Sequence, residues 1–247
     1  MNGTRLLLLL ILPGLLCGFE GPVIKKDRYY YERKGEIVWE VPTQDKKIAL
    51  TFDDGPYPPS TSAILDLLDQ YDARATFFVV GNRVQRYADL VRREINEGHE
   101  VANHTYNHAY FSRNSDPAKM HEEIVLAEKA LHALDVPKPS LFRPPGGYYN
   151  EAMIHKARRL GYTTVLWSWH QDTKDWRKPG IQAIVDKVLN NARNGDIVLF
   201  HDYVPGSMET IEALKQILPE LKSQGYALVT VSELLASSKS LPIQTKE

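Results

Sequence analysis

"IALTFDDGP", residues 48–56, is an apolar run that ends abruptly in two adjacent acids, a glycine and a proline. A short apolar run without alternation reads as a strand buried on both faces, as in a parallel sheet covered by helices. The chain beyond it repeats that pattern. Ile64, Leu67, Leu68 and Tyr71 keep helical spacing, "ATFFVV" (75–80) is a second strand, and one helical stretch runs through Ile95 to stop at Gly98. Asp116 and Pro117 supply an N-cap and a first-turn proline to a helix stepping through Met120, Ile124, Ala127, Leu131 and Leu134. "TTVLWSW" (163–169), "DIVLF" (196–200) and "YALVTV" (226–231) read as further strands, with helices near 184–192 and 211–221 and a capping box at Thr230 and Glu233. About six or seven such βα units predict an α/β fold, a distorted or incomplete (β/α) barrel.

The 247 residues suffice for one domain of this kind, and 43% hydrophobic and 25% charged residues are ordinary for a globular chain. Thirty basic and thirty-one acidic residues leave a net charge of −1, so no bulk field recruits nucleic acid or anionic membrane. Residues 1–18 carry Arg5 and an apolar stretch broken by Pro13 and Gly14. The stretch falls short of the roughly twenty residues of a membrane span, and reads as a secretory signal cleaved after Gly18. Cys17 raises lipidation as an alternative, against which Leu16 stands where a small residue is wanted, and an uncleaved N-terminal anchor is the third reading. Cleavage would remove the single cysteine, leaving no disulfide. The expected destination is the cell envelope or the exterior. Residues 19–45 form a polar, tyrosine-rich lead-in arm, 46–238 the main domain and 239–247 a polar tail, with no stable span expected after cleavage and a monomer favoured.

Sites in parallel α/β folds lie at the carboxyl ends of strands. There the runs are followed by Asp53 and Asp54, by Gly81 and Asn82, and by "NHTYNH", "RPPGG", "WHQDTKDW" and "HD". His104 and His108 at i, i+4 share one face if they sit on a helical turn, and with a strand-end aspartate would make a two-histidine, one-carboxylate cation site with open positions. Two solvated histidines are the bland alternative. Asp53 and Asp54 could be an acidic corner or a glycosidase pair, but glycosidase carboxyls flank the bond at about 5 to 9 Å and come from different strands. Adjacent residues leaving a strand point apart, so one aspartate can face a cation and its neighbour a water. Arg143 stands before a rigid Pro-Pro and a permissive Gly-Gly turn, Asp172 or Asp175 is a candidate buried partner, and Trp176 is a candidate apolar wall. His201 ends a buried strand, in the layer where an acid or base would act. "NHT" (103–105) also fits an N-glycosylation pattern, discounted because it overlaps the candidate ligands.

In this order, "TFDDGP", "HTYNH", "RPPGG", "DTKDW" and "LFH", with "ATFFVVGN", resemble the NodB-homology polysaccharide deacetylases, carbohydrate esterase family four, over about residues 46–235. The resemblance implies a distorted (β/α) barrel and metal-dependent removal of acetyl groups, mostly from N-acetylated amino sugars and in some members from xylan esters. By matching motif, Asp54, His104 and His108 resemble the metal ligands, Asp53 the general base and His201 the general acid. Arg143 and Asp175 resemble the charges that orient base and acid, and Trp176 a wall of the acetyl pocket. The implied cofactor is a divalent cation, zinc first, with cobalt, nickel or manganese compatible. Many members carry an aromatic residue where this chain has Gly146; its N–H can still serve the oxyanion, while side-chain packing around the sugar must differ. The expected substrate is an acetylated glycan, peptidoglycan first and chitooligosaccharide second. An O-acetyl esterase, a non-catalytic carbohydrate-binding protein on the same fold and a metal phosphoesterase are the rivals.

Overall fold

The computed structural model describes residues 27–111 and 115–238, so the leader, Cys17 and the C-terminal tail lie outside the described residues. The polar arm contributes structure of its own: Asp27 caps α1 (Arg28–Arg33), and β1 (Ile37–Val38) joins the main sheet. β2 (Lys47–Asp53), α2 (Ser60–Gln70) and β3 (Ala75–Val79) follow. The single helix expected up to Gly98 is two, α3 (Gly81–Val84) and α4 (Ala88–Asn96). Next come β4 (Glu100–Asn103), α5 (Pro117–His132), β5 (Leu141–Phe142), α6 (Glu151–Arg159) and β6 (Thr163–Val165). α7 (Ile181–Leu189), β7 (Ile197–His201), α8 (Glu209–Ser223), β8 (Ala227–Leu228) and α9 (Val231–Ser237) complete the chain.

Every strand pairing is parallel, in the order β1-β6-β5-β4-β3-β2-β7, with β8 beside the start of β2. No pairing joins β7 to β1 among the described residues, so the eight-stranded sheet is a barrel that curls without closing. Two predicted strands are shorter than expected. The run 163–169 ends at Val165, where Arg143 takes the carbonyls of Val165 and Leu166 that a longer ladder would use. The run 226–231 ends at Leu228 because Thr230 caps α9 through the predicted box with Glu233.

Strand alternation separates two cores. Ile48, Leu50 and Phe52, with Phe77, Val198 and Phe200, pack outward against Leu68, Leu214 and Leu218 of the covering helices. Phe52 stacks between Phe77 and Phe200 at 5.1 and 5.5 Å. The alternate residues Ala49, Phe78, Ala102, Leu141, Val165 and Ile197 form an inner core that Val231 and Leu234 of α9 close at the amino ends of the strands. Each large aliphatic or aromatic side chain so buried stabilises the fold by about 1.5–3 kcal/mol. Continuing the same period, Asp53 follows Ala49 and Thr51 onto the inner face, and His201 follows Ile197 and Leu199. The polar site is therefore the carboxyl end of an apolar barrel interior.

Candidate active site

Arg143 is fully buried just after β5, and nearly all its hydrogen-bonding capacity is spent at once. Its Nε and Nη2 donate to the Val165 and Leu166 carbonyls, while Nη1 donates to Thr51 Oγ1 at 2.9 Å and to Asp53 Oδ1 at 2.7 Å. The guanidinium carbon lies 3.9 Å from the Phe78 ring centroid. Burial pushes the guanidinium's pKa down and the Asp53 carboxylate opposes that. Asp53, itself 4% exposed, is thus held in one orientation by a planar donor that cannot turn.

Asp54 should by strand period face the opposite way. It adopts φ 79°, a left-handed conformation uncommon outside glycine, and this brings its carboxylate to the inner side of the barrel beside the histidines. His104 Nε2 is 3.4 Å and His108 Nε2 2.9 Å from Asp54 Oδ1, yet neither contact is aligned as a hydrogen bond, and Oδ1 is buried without a partner. Burial pushes the Asp54 carboxyl up, but the His104 and His108 rings, with His201, hold it far below the usual carboxylate range. The histidines do not share a helical turn as expected: residues 104–108 are irregular, and Thr105 and His108 have φ of 66° and 56°. The loop nonetheless brings the two rings within 5.2 Å.

These three residues present ligand atoms within 4.8 Å of one another. His104 Nδ1 donates to the Arg143 carbonyl at 2.7 Å, which leaves the Nε2 lone pair directed at the cluster. An orphaned carboxylate oxygen facing imidazole nitrogens is the donor set of a divalent cation site, so the residues fit the metal that the motifs imply. A second cluster, Glu40, His170 and Asp196, also brings its donor atoms together. There His170 and Gln171 bond Asp196 at 2.9 and 3.0 Å and Arg28 pairs with Glu40 at 3.1 Å, so the groups satisfy one another.

On the strand beside Asp53, His201 Nδ1 donates to Asp175 Oδ1 at 2.7 Å. Asp175, 1% exposed, also accepts from the N–H of Trp176 and His201 and from Thr210 Oγ1. Burial alone would push the imidazolium of His201 down, but the bond and charge of Asp175, with Asp54 and Asp53 beyond it, push it up to about 9. Of the two aspartates in "DTKDW", Asp175 is therefore the buried partner, while Asp172 lines the pocket.

Asp53, Asp54, His104, His108, Gly146, Trp176 and His201 all line one cavity of about 370 Å³. Sequence reasoning missed Tyr110, Tyr148 and Trp167 in its walls. Gly146 has φ 65°, and a Cβ there would fall 2.9 Å from Tyr110 and 3.0 Å from Tyr148. Tyr110 from the β4–α5 loop and Tyr148 from the same turn thus occupy the space that an aromatic residue at 146 would claim. Asn103 is fully buried and donates to the Ile124 carbonyl and to Tyr162, which leaves its amide no room for a glycan.

The profile of the polysaccharide deacetylase family matches residues 40–165. A peptidoglycan-N-acetylglucosamine deacetylase of Bacillus cereus is 54% identical over 204 residues, covering 83% of this chain and 95% of the relative. A chitooligosaccharide deacetylase of a Bradyrhizobium species is 38% identical over 201 residues, 76% of this chain and 90% of the relative. The crystal structure of a peptidoglycan N-acetylglucosamine deacetylase in complex with 4-naphthalen-1-yl-N-oxidanyl-benzamide matches with a TM-score of 0.79 at 32% identity, over 86% of this chain and 99% of that one.

Proposed function

The chain belongs to the polysaccharide deacetylase family, and we propose that it hydrolyses N-acetyl groups on an amino-sugar polymer or oligomer, peptidoglycan first and chitooligosaccharide second. The observation that carries this reading is the meeting at one cavity of an Arg143-held carboxylate and an Asp175-held imidazole on neighbouring strands, beside three convergent donor atoms.

Asp54, His104 and His108 would hold a divalent cation, zinc first and cobalt, nickel or manganese compatible, which when bound polarises the acetyl carbonyl and acidifies a water. Asp53 accepts the proton of the attacking water, its free oxygen directed by the Arg143 bond to the other. The water oxygen bonds to the acetyl carbon, and the N–H of Gly146 at the cavity wall is the candidate donor to the resulting oxyanion, worth roughly 3–4 kcal/mol for one good donor. His201, with Nδ1 committed to Asp175, gives its Nε2 proton to the nitrogen as the C–N bond breaks. Trp176 walls the acetyl group. Acetate and a free amino sugar leave. An amide is favoured over an ester because an unprotonated amide nitrogen leaves poorly, and the His201–Asp175 pair supplies the protonated form that an O-acetyl esterase needs less.

The apolar stretch at residues 6–17 supports an extracytoplasmic site of action, and no helix among the described residues is long and apolar enough to cross a membrane. Mass spectrometry of products from peptidoglycan fragments, chitooligosaccharides and acetylated xylan, with elemental analysis of the same protein, tests the proposal. Asp54→Ala should lose both turnover and metal, whereas Asp53→Asn should lose turnover with metal retained. Near-normal rates in Asp53→Asn would remove it as the base.

A further inference from the structure

Arg177 follows Trp176 of the cavity wall and has no carboxylate partner among the described residues. Its guanidinium carbon is 4.6 Å from the centroid of the Trp176 ring, and Trp176 is 50% exposed and lines the cavity. Lys174 and Lys178, each with φ 54°, bracket a 3₁₀ turn over Asp175–Arg177, and Asp175 pins that turn to His201 and Thr210. The rim is thus fastened to the proposed acid by a buried carboxylate. Lys174 and Lys178 likewise lack ion pairs among the described residues. The nearby acids are engaged with backbone, Asp172 accepting from the N–H of Lys174 and Glu209 from that of Gly180. Three exposed cations thus lie within five residues of chain that include Trp176 of the cavity wall.

A guanidinium with one face on an indole keeps its N–H edge for a planar anion, and a carboxylate matches that edge with two parallel bonds. A neutral chitooligosaccharide offers no such group. A peptidoglycan strand does, because the sugar next to each N-acetylglucosamine bears a peptide with free carboxylates.

We propose that Arg177, supported by Lys174 and Lys178, forms a carboxylate subsite for the substituent on the sugar adjoining the acetylated one, making peptide-bearing peptidoglycan the preferred substrate over neutral chitooligosaccharide. The proposal rests on the deacetylase reading of the neighbouring cavity. The subsite gives preference mainly through capture of the substrate, so it acts on kcat/KM and is screened by salt.

The test measures kcat/KM of the metal-loaded protein on a peptidoglycan tetrasaccharide with its stem peptides and on chitotetraose. The peptidoglycan-to-chitotetraose ratio should fall about three- to tenfold in Arg177→Gln and about two- to fivefold in the double variant Lys174→Gln/Lys178→Gln, the range expected of one to three solvent-facing charge contacts. Raising salt from 0.1 to 1 M, which shortens the screening length from about 10 to about 3 Å, should collapse the wild-type ratio. If Arg177 only props Trp176, rates on both substrates fall together and the ratio holds. A ratio unchanged in both variants and insensitive to salt overturns the subsite, while acetate release from both substrates keeps the deacetylase reading. If neither substrate releases acetate, that reading fails, and calorimetric binding of the same two probes to wild type and Arg177→Gln decides the subsite alone.

Discussion

Replacing Asp175 with asparagine removes one charge and little volume, and so isolates what that charge does to His201. Asp175 receives four hydrogen bonds: Oδ1 from His201 Nδ1 at 2.7 Å and the Trp176 N–H at 2.9 Å, Oδ2 from the His201 N–H and from Thr210 Oγ1, both at 2.8 Å. An asparagine must turn its NH₂ toward one of these pairs, setting donor against donor. The burial that pushes the imidazolium down and the attraction of Asp54 and Asp53 remain, while the bond and charge of Asp175, the larger of the causes that raise it to about 9, are gone. The value should then fall toward the ordinary 6.5, a displacement of up to about 2.5 units and about 3 kcal/mol. In the pH profile of kcat/KM for acetate release from chitotetraose, the alkaline limb should move down by about that amount. Above both limbs the rate ratio approaches ~300 from protonation alone; the variant's stronger acid returns part of it, leaving roughly 10- to 300-fold. A cation at Asp54 lowers both limbs, so the displacement between them is the quantity that matters. An activated acetate ester, whose leaving group needs no proton, should show little displacement. Thermal stability offers a second readout. The folded value of His201 lies above its unfolded one, so its contribution is full below about pH 6.5 and lost as the pH rises through about 9. The gap in Tm between wild type and Asp175→Asn should narrow across that window. An alkaline limb that stays in place, or an ester activity that falls in parallel with the amide activity, would refute the assignment of His201 as an acid held protonated by Asp175.

Arg143→Met leaves Asp53 buried without its cation and four acceptors without their donor, at a cost of about 3–5 kcal/mol, read as a fall in Tm of roughly 6–20 °C by calorimetry. Gly146→Val forces a β-branched residue to φ 65° and its Cβ against Tyr110 and Tyr148, so the cavity wall must shift; KM for oligosaccharides should rise while circular dichroism stays native.

The fold was legible wherever burial left a long signature. Residues 48–52, 75–79 and 197–200 are apolar on both faces because helices cover one and the barrel interior the other, and such runs point to a parallel sheet. β1, β5 and β8 have two residues each, too few for any period, and the arm that supplies β1 looked like mere packing for that reason. In the site, Asp53 and His201 could be found because they sit at the polar ends of those runs, and Arg143 because it stands before the Pro-Pro and Gly-Gly turn. The left-handed turn of Asp54 could not be read, since nothing in "DDGP" states that the second acid turns back toward its neighbour's side. The same limit applies at His104 and His108: spacing suggested closeness, and closeness is found, but two left-handed residues produce it where a helical turn was expected. Thr51 was within reach of inference, two residues before Asp53 on the same strand face and bonded to the same guanidinium. Tyr110 was not, because only the folded chain brings it to Gly146, whereas Tyr148 stands two residues beyond that glycine.

The register of β2 on β7 sets Asp53 directly beside His201. Left alone, a carboxylate and an imidazolium so placed would pair with each other, an attraction of about 4 kcal/mol at 4 Å for a partly screened site, and neither would be free to move a proton. Each instead has a partner of its own, Arg143 on one side and Asp175 on the other, so the proposed base and the proposed acid need not pair with each other. The two partners should then fail differently. Loss of Asp175 takes a negative charge from His201 and lowers the alkaline limb. Loss of Arg143 takes a positive charge from the same neighbourhood and leaves Asp53 free to attract the imidazolium, so in Arg143→Met the residual activity should show a limb unmoved or raised. A limb that fell in Arg143→Met as it does in Asp175→Asn would mean that packing of the site, and not these charges, governs the proton on His201.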